Sequence, residues 1–168
     1  LIGTNWGISA PTLASYLNRT PSRSDMVNLS RIEAEDILKT FYWSKNNFDL
    51  LSNQSVATMI YDGVVNHGTN GMRFLMEKAL RTIGNPMAYY KVFTIEGIKL
   101  LNSINQKTLF YGIRRARIEK YKSMTSKKEF LDGWLARLDR IKFFSNTFPG
   151  ALPIALSLAG LGLFLIEL

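Results

Sequence analysis

The chain of 168 residues has no cysteine. A disulfide framework, a thiolate metal site and a cysteine nucleophile are therefore excluded. It has one histidine, His67, which excludes a multi-histidine zinc site. No cofactor is expected. Acidic residues are scarce, 13 Asp and Glu against 21 Lys and Arg, so the formal net charge is +8. That balance favours polyanionic partners: nucleic acid, anionic lipid or an anionic cell wall. The excess is concentrated late, with eleven basic and four acidic residues between Lys107 and Lys142. Aromatics are not interleaved with those basic residues as in a base-stacking platform, so no nucleic acid is expected. Alternating strand patterns, repeats and low-complexity tracts are also lacking, which leaves a predominantly helical body.

What is present is helical periodicity. Val56, Met59, Ile60, Gly63 and Val64 share one face, as do Met72, Leu75, Met76, Ala79, Leu80 and Ile83. The spacing predicts two helices, over residues 56–67 and 72–83, joined by the turn Gly68-Thr69-Asn70-Gly71. Their facing stripes are expected to form the middle of the core.

Around this hairpin the chain alternates helices and polar links. Pro11 suits the first turn of a short helix capped by Ser9, and residues 18–28 read as a loop. Ser30 and Glu33 form a capping box that opens a helix to about Tyr42. Further helices are expected over residues 94–103, 105–121 and 130–143. Residues 151–166 are uncharged and almost wholly apolar. As a helix this run would be roughly 24 Å long, against a bilayer core of about 30 Å. Either a membrane-inserted tail or a buried terminal helix fits it. The organisation expected is a helical domain over residues 1–148 and a hydrophobic tail over residues 149–168.

Several motifs occur in a recognisable order. They are Thr4-Asn5-Trp6-Gly7-Ile8-Ser9, Phe41-Tyr42-Trp43, Asp62-Gly63-Val64-Val65-Asn66-His67-Gly68, Arg117 to Tyr121, and Gly133-Trp134-Leu135-Ala136-Arg137. In this order they resemble the N-acetylmuramidases of glycoside hydrolase family 108, bacterial and phage enzymes with a C-terminal peptidoglycan-binding helical region. The resemblance implies an all-α, lysozyme-like fold. It also implies cleavage of the peptidoglycan glycan strand in the cell envelope or periplasm. The residues 151–168 add a possible membrane contact.

In that family the catalytic glutamate lies in a Glu-Gly-Gly segment upstream of the Thr-Asn pair. Here only Leu1, Ile2 and Gly3 precede Thr4, and they read as the middle of a longer segment. The resemblance makes Thr4 the catalytic threonine and leaves the acid unassigned. Glu33 and Glu35 lie near a helix start, where cap and dipole roles suit them. The other candidates are expected at the substrate. Trp6, Tyr42 and Trp43 could stack on sugar faces or fill the core. Asn5 and Asn66 could pair with sugar hydroxyl and acetamide groups. Asp62 could serve the site or hold the turn at Asn66, and His67 could touch sugar or stabilise that turn. Trp134 lies on the apolar stripe of its helix and reads as core. If no acid is supplied, the alternatives are a non-catalytic peptidoglycan-binding protein or a membrane-anchored component of a larger assembly.

Overall fold

A computed structural model describes residues 3–145. The tail, residues 149–168, lies outside the described residues. Among the described residues no helix is long and apolar enough to cross a membrane.

The architecture is helical with one small hairpin at its start. Strands β1 (Thr4–Asn5) and β2 (Ile8–Ser9) pair antiparallel, Thr4 opposite Ser9 and Asn5 opposite Ile8. The body is otherwise helical, as expected. Two residues per strand are too few for alternation to show. The turn is Trp6-Gly7, with φ of 51° and 78°. Both residues being left-handed defines the tight turn that matches strand twist. Glycine takes that conformation freely, whereas tryptophan resists it. The Trp6 indole compensates by donating to the Leu29 carbonyl at 2.9 Å.

Helix α1 (Ala10–Leu17) begins with Pro11 in its first turn and ends at left-handed Asn18. The expected loop over residues 18–28 contains a helix, α2 (Arg23–Asn28). Its signal is a second capping box, Ser22 with Asp25, reinforced by the Arg19–Asp25 ion pair at 2.7 Å. The predicted Ser30–Glu33 box opens α3 (Arg31–Leu38). That helix does not continue regularly to Tyr42. It widens into a π-helical turn, Lys39–Trp43, followed by 3₁₀ turns at Ser44–Asn46 and Phe48–Leu50.

Helix α4 (Gln54–Thr82) is the centre of the fold. The expected four-residue link is a single residue. Gly68, at φ 71° and ψ 163°, is the one non-helical position inside the element. Past it the second half folds back, so that Met72 Sδ occupies the space a Cβ on Gly63 would need. Before the break α4 is buried on nearly every side, from Ser55 to Val64. After it only the predicted stripe, Met72, Leu75, Met76, Ala79 and Leu80, is buried.

Helices α5 (Ile95–Ser103), α6 (Gln106–Ser123) and α7 (Leu131–Arg140) complete the body. Thr94 caps α5 and Asn105 caps α6 through hydrogen bonds to backbone amides. Helix α6 packs along α4 through Leu109, Phe110, Ile113 and Ala116. After α7 the chain returns to the start of α4. There Ser55 Oγ accepts from the Phe144 amide at 2.9 Å, and Asn53 Nδ2 donates to the Phe144 carbonyl at 3.0 Å.

Candidate functional site

The expected site residues do not gather in one groove. They divide between an open cleft beside the hairpin and a buried polar cluster in the core.

The cleft has a volume of about 680 Å³ and lies between α1, the π-helical turn and the beginning of the second half of α4. Thr12 and Ser15 supply hydroxyls from α1, and Phe41 and Tyr42 supply rings from the π turn. Lys45, Asn46, Thr69 and Arg73 close the remaining sides. The π turn is what presents Tyr42 here. An i→i+5 turn inserts a residue and rotates the side chains that follow. Trp43 then points inward, 1 % exposed, edge-on to Phe48 and Tyr61, with its indole donating to Asp49 Oδ1 at 2.7 Å. Of this adjacent pair of aromatics, Tyr42 faces the cleft and Trp43 is core.

Thr4 reaches the cleft indirectly. Directly opposed residues of an antiparallel pair project from the same face of the ladder. Thr4 therefore shares a face with Ser9, whose hydroxyl lies 3.0 Å from that of Thr12 in the cleft wall. Asn5 and Trp6 have a different task. Asn5 Nδ2 donates to the Met26 carbonyl at 2.8 Å, and Trp6 holds Leu29. Both fasten the hairpin to α2 and its exit, which fixes where Thr4 stands.

The second set forms a clamp in the core. Asp62 is 3 % exposed and lies between two guanidinium groups, Arg117 Nη2 at 2.6 Å on Oδ2 and Arg137 Nε at 2.7 Å on Oδ1. Arg117 also donates to the Met59 carbonyl at 3.0 Å and to the Tyr121 hydroxyl at 3.0 Å. Asn66 Nδ2 donates to the Asp62 carbonyl at 2.6 Å. The rings of His67 and Tyr121 lie 5.1 Å apart, and Trp134 stacks on Tyr121 at 5.1 Å. Asp62, Asn66, Arg117, Tyr121, Trp134 and Arg137, drawn from three separate motifs, thus meet at one place.

Electrostatics follow from that packing. Burial opposes ionisation of Asp62, but the charges and hydrogen bonds of Arg117 and Arg137 outweigh it and hold the carboxyl below its ordinary range. Burial, and then the charge of Arg117, lower His67 to about 4, so its ring is neutral near pH 7. Both Asp62 oxygens are engaged inside the core by the two arginines. Asn66 borders a separate cavity of about 310 Å³ with Trp134, and His67 borders another of about 440 Å³ with Lys120.

Residues 3–68 match the family described as glycosyl hydrolase 108. The family is that of the sequence resemblance. The matched segment spans the hairpin, much of the cleft and the first half of α4, ending at the break. The solved structure of SagA from Brucella abortus is similar with a TM-score of 0.68 at 22 % identity, over 82 % of this chain and 76 % of that one. At that identity the likeness establishes a shared fold, mainly α and lysozyme-like. No curated protein matches the chain.

Sequence reasoning missed Thr12, Ser15, Lys45, Asn46, Thr69 and Arg73. Thr12 could have been inferred from its place just after the hairpin. Lys45 and Arg73 carry no local pattern and meet only through the bend at Gly68.

Proposed function

We propose that this chain is an N-acetylmuramidase whose glycan strand lies along the cleft, past Tyr42 and Thr12, with Thr4 at its rim. The observation that carries the reading is the cleft's composition beside the hairpin. An aromatic ring can cover the apolar face of a sugar, while hydroxyl and amide groups meet its polar edges.

Cleavage needs a carboxylic acid to protonate the glycosidic oxygen. It also needs a carboxylate, or a held water, to support the oxocarbenium-like transition state. None of the described residues lining the cleft is a carboxylate. The dismissed candidates are engaged elsewhere. Glu33 caps α3 through Ser30, Glu35 pairs with Arg31 at 2.8 Å, and Asp62 is locked between its arginines. The acid, on this reading, comes from a segment preceding Thr4, as the resemblance implies, and enters the cleft beside the hairpin. Thr4 then holds the water that attacks the sugar.

The test compares two forms on purified peptidoglycan, the 168-residue chain and the same chain carrying its native upstream segment. The longer form is expected to release muramic-acid reducing ends. The shorter is expected to be slower by about 10²–10⁴, the usual contribution of general acid catalysis. Equal turnover by both forms would overturn the assignment of the acid. Binding without turnover by both would favour a non-catalytic peptidoglycan-binding protein.

A further inference from the structure

The cleft carries two cations with no counter-charge. Lys45 rises from the 3₁₀ turn after Tyr42, and Arg73 stands one turn beyond the Gly68 break. Both line the cleft, no carboxylate lines it with them, and neither has an ion-pair partner among the described residues.

Arg73 is also held in place. Its guanidinium lies over the Phe93 ring, 5.6 Å from the centroid, and Phe93 is itself packed edge-on to Phe48 in the core. Its Nε is buried without a hydrogen-bond partner. A buried donor with nothing to donate to costs about 1–3 kcal/mol. Lys45 is fixed more loosely, through the turn on which it stands. There Asn46 Nδ2 donates to the Tyr42 carbonyl at 2.8 Å, closing the backbone between ring and cation.

We propose that Lys45 and Arg73 read a carboxylate on the substrate, so that the cleft selects an acid-substituted glycan over a neutral one. The proposal rests on the reading of this cleft as the glycan site. Planar guanidinium groups favour carboxylate geometry, whereas a lysine adds a mobile point charge. In peptidoglycan the carboxylate has two sources: the lactyl ether of muramic acid where the glycan is peptide-free, and the stem peptide where it is not. Chitin of the same length has neither.

The experiment measures binding of the 168-residue chain to three probes by calorimetry. They are a peptide-free tetrasaccharide alternating N-acetylglucosamine and N-acetylmuramic acid, the same tetrasaccharide bearing stem peptides, and neutral chitotetraose. The expected result is at least about a tenfold preference for an acidic probe over chitotetraose at low salt, the gain of one or two charge-assisted contacts. The preference should shrink as salt screens it. In Lys45→Gln/Arg73→Gln the preference for an acidic probe over chitotetraose should disappear, and a thermal melt reports that the variant is folded. A preference already shown by the peptide-free probe assigns the lactyl carboxylate. One shown only by the peptide-bearing probe assigns the stem. Equal affinity for all three probes in the native chain would overturn the proposal and leave the cleft reading standing, as would a preference that survives in the double variant. Binding of none of them would overturn both.

Discussion

Asp62 and Arg117, 55 positions apart in the chain, form an ion pair of 2.6 Å in which the arginine is wholly excluded from solvent. Such a pair is not a large source of net stability, because both charges were desolvated to make it. Its removal on one side is another matter. Asp62→Leu is expected to lower unfolding free energy by about 3–5 kcal/mol, since it strands the guanidiniums of Arg117 and Arg137 in the core. Urea denaturation checks this. Pairing it with Arg117→Met and Arg137→Met should recover much of the loss, and a triple variant no better than the single one would show that the clamp is not the reason.

The same cluster predicts a two-stage response to acid. The folded chain holds His67 at about 4, whereas an unfolded chain protonates it near 6.5. Between those values the unfolded state binds a proton that the folded state refuses. Stability is therefore expected to fall as pH drops from about 6.5 to about 4, by up to about 3 kcal/mol. Asp62 acts below that window. Its depressed carboxyl contributes stability above about 4, lost as pH falls through the folded value. Denaturation midpoints against pH measure both. His67→Gln should flatten the upper window, and an unchanged slope there would assign it to other groups.

Gly68→Ala probes the break in α4. At φ 71° and ψ 163° the backbone lies where only glycine rests without strain. A loss of about 1–3 kcal/mol is expected. Thr69 and Arg73 follow the break into the cleft wall, so ligand affinity should drop with stability. A variant that melts like the native chain would mean the bend tolerates another geometry.

Tyr42 and Trp43 are adjacent, and their replacements should separate cleanly. Trp43→Ala empties a site that is 1 % exposed and should cost about 3–5 kcal/mol in stability. Tyr42→Ala, at a half-buried ring, should cost distinctly less stability and weaken every glycan probe alike. Reversal of the two effects would place the wrong ring in the cleft.

Met76→Asp tests the core itself. The side chain is fully buried on the second half of α4, and an unpaired carboxylate there should cost several kcal/mol or be driven neutral. Thermal melts provide the comparison.

The helical body was legible because it follows rules that act over a few residues. The stripes of α4, the Ser30–Glu33 cap and the helix after Thr94 are local statements, and they hold. The hairpin escaped because two-residue strands carry no period. Helix α2 escaped because Pro21 outweighed the Ser22–Asp25 box beside it. The site was less legible for a different reason. Asp62, Asn66 and Trp43 look functional in sequence since polar and aromatic residues at motif positions suit chemistry and architecture equally. Only the arrival of Arg117 and Arg137 from the far end of the chain, and the widening of the π turn, decide between the two. Lys45 and Arg73 are brought to one cleft by a bend that no window of sequence contains.

The clasp at Phe144 has a consequence for how the molecule is made. The two guanidiniums that neutralise Asp62, and the backbone that closes on Asn53 and Ser55, belong to residues 117–144. A nascent chain that has emerged only as far as Gly68 holds the hairpin, the cleft's aromatic turn and an uncompensated carboxylate. It has nothing yet to bury that charge against. The segment that carries the family match thus encloses a buried carboxylate whose neutralising guanidiniums, Arg117 and Arg137, both lie after it in the chain.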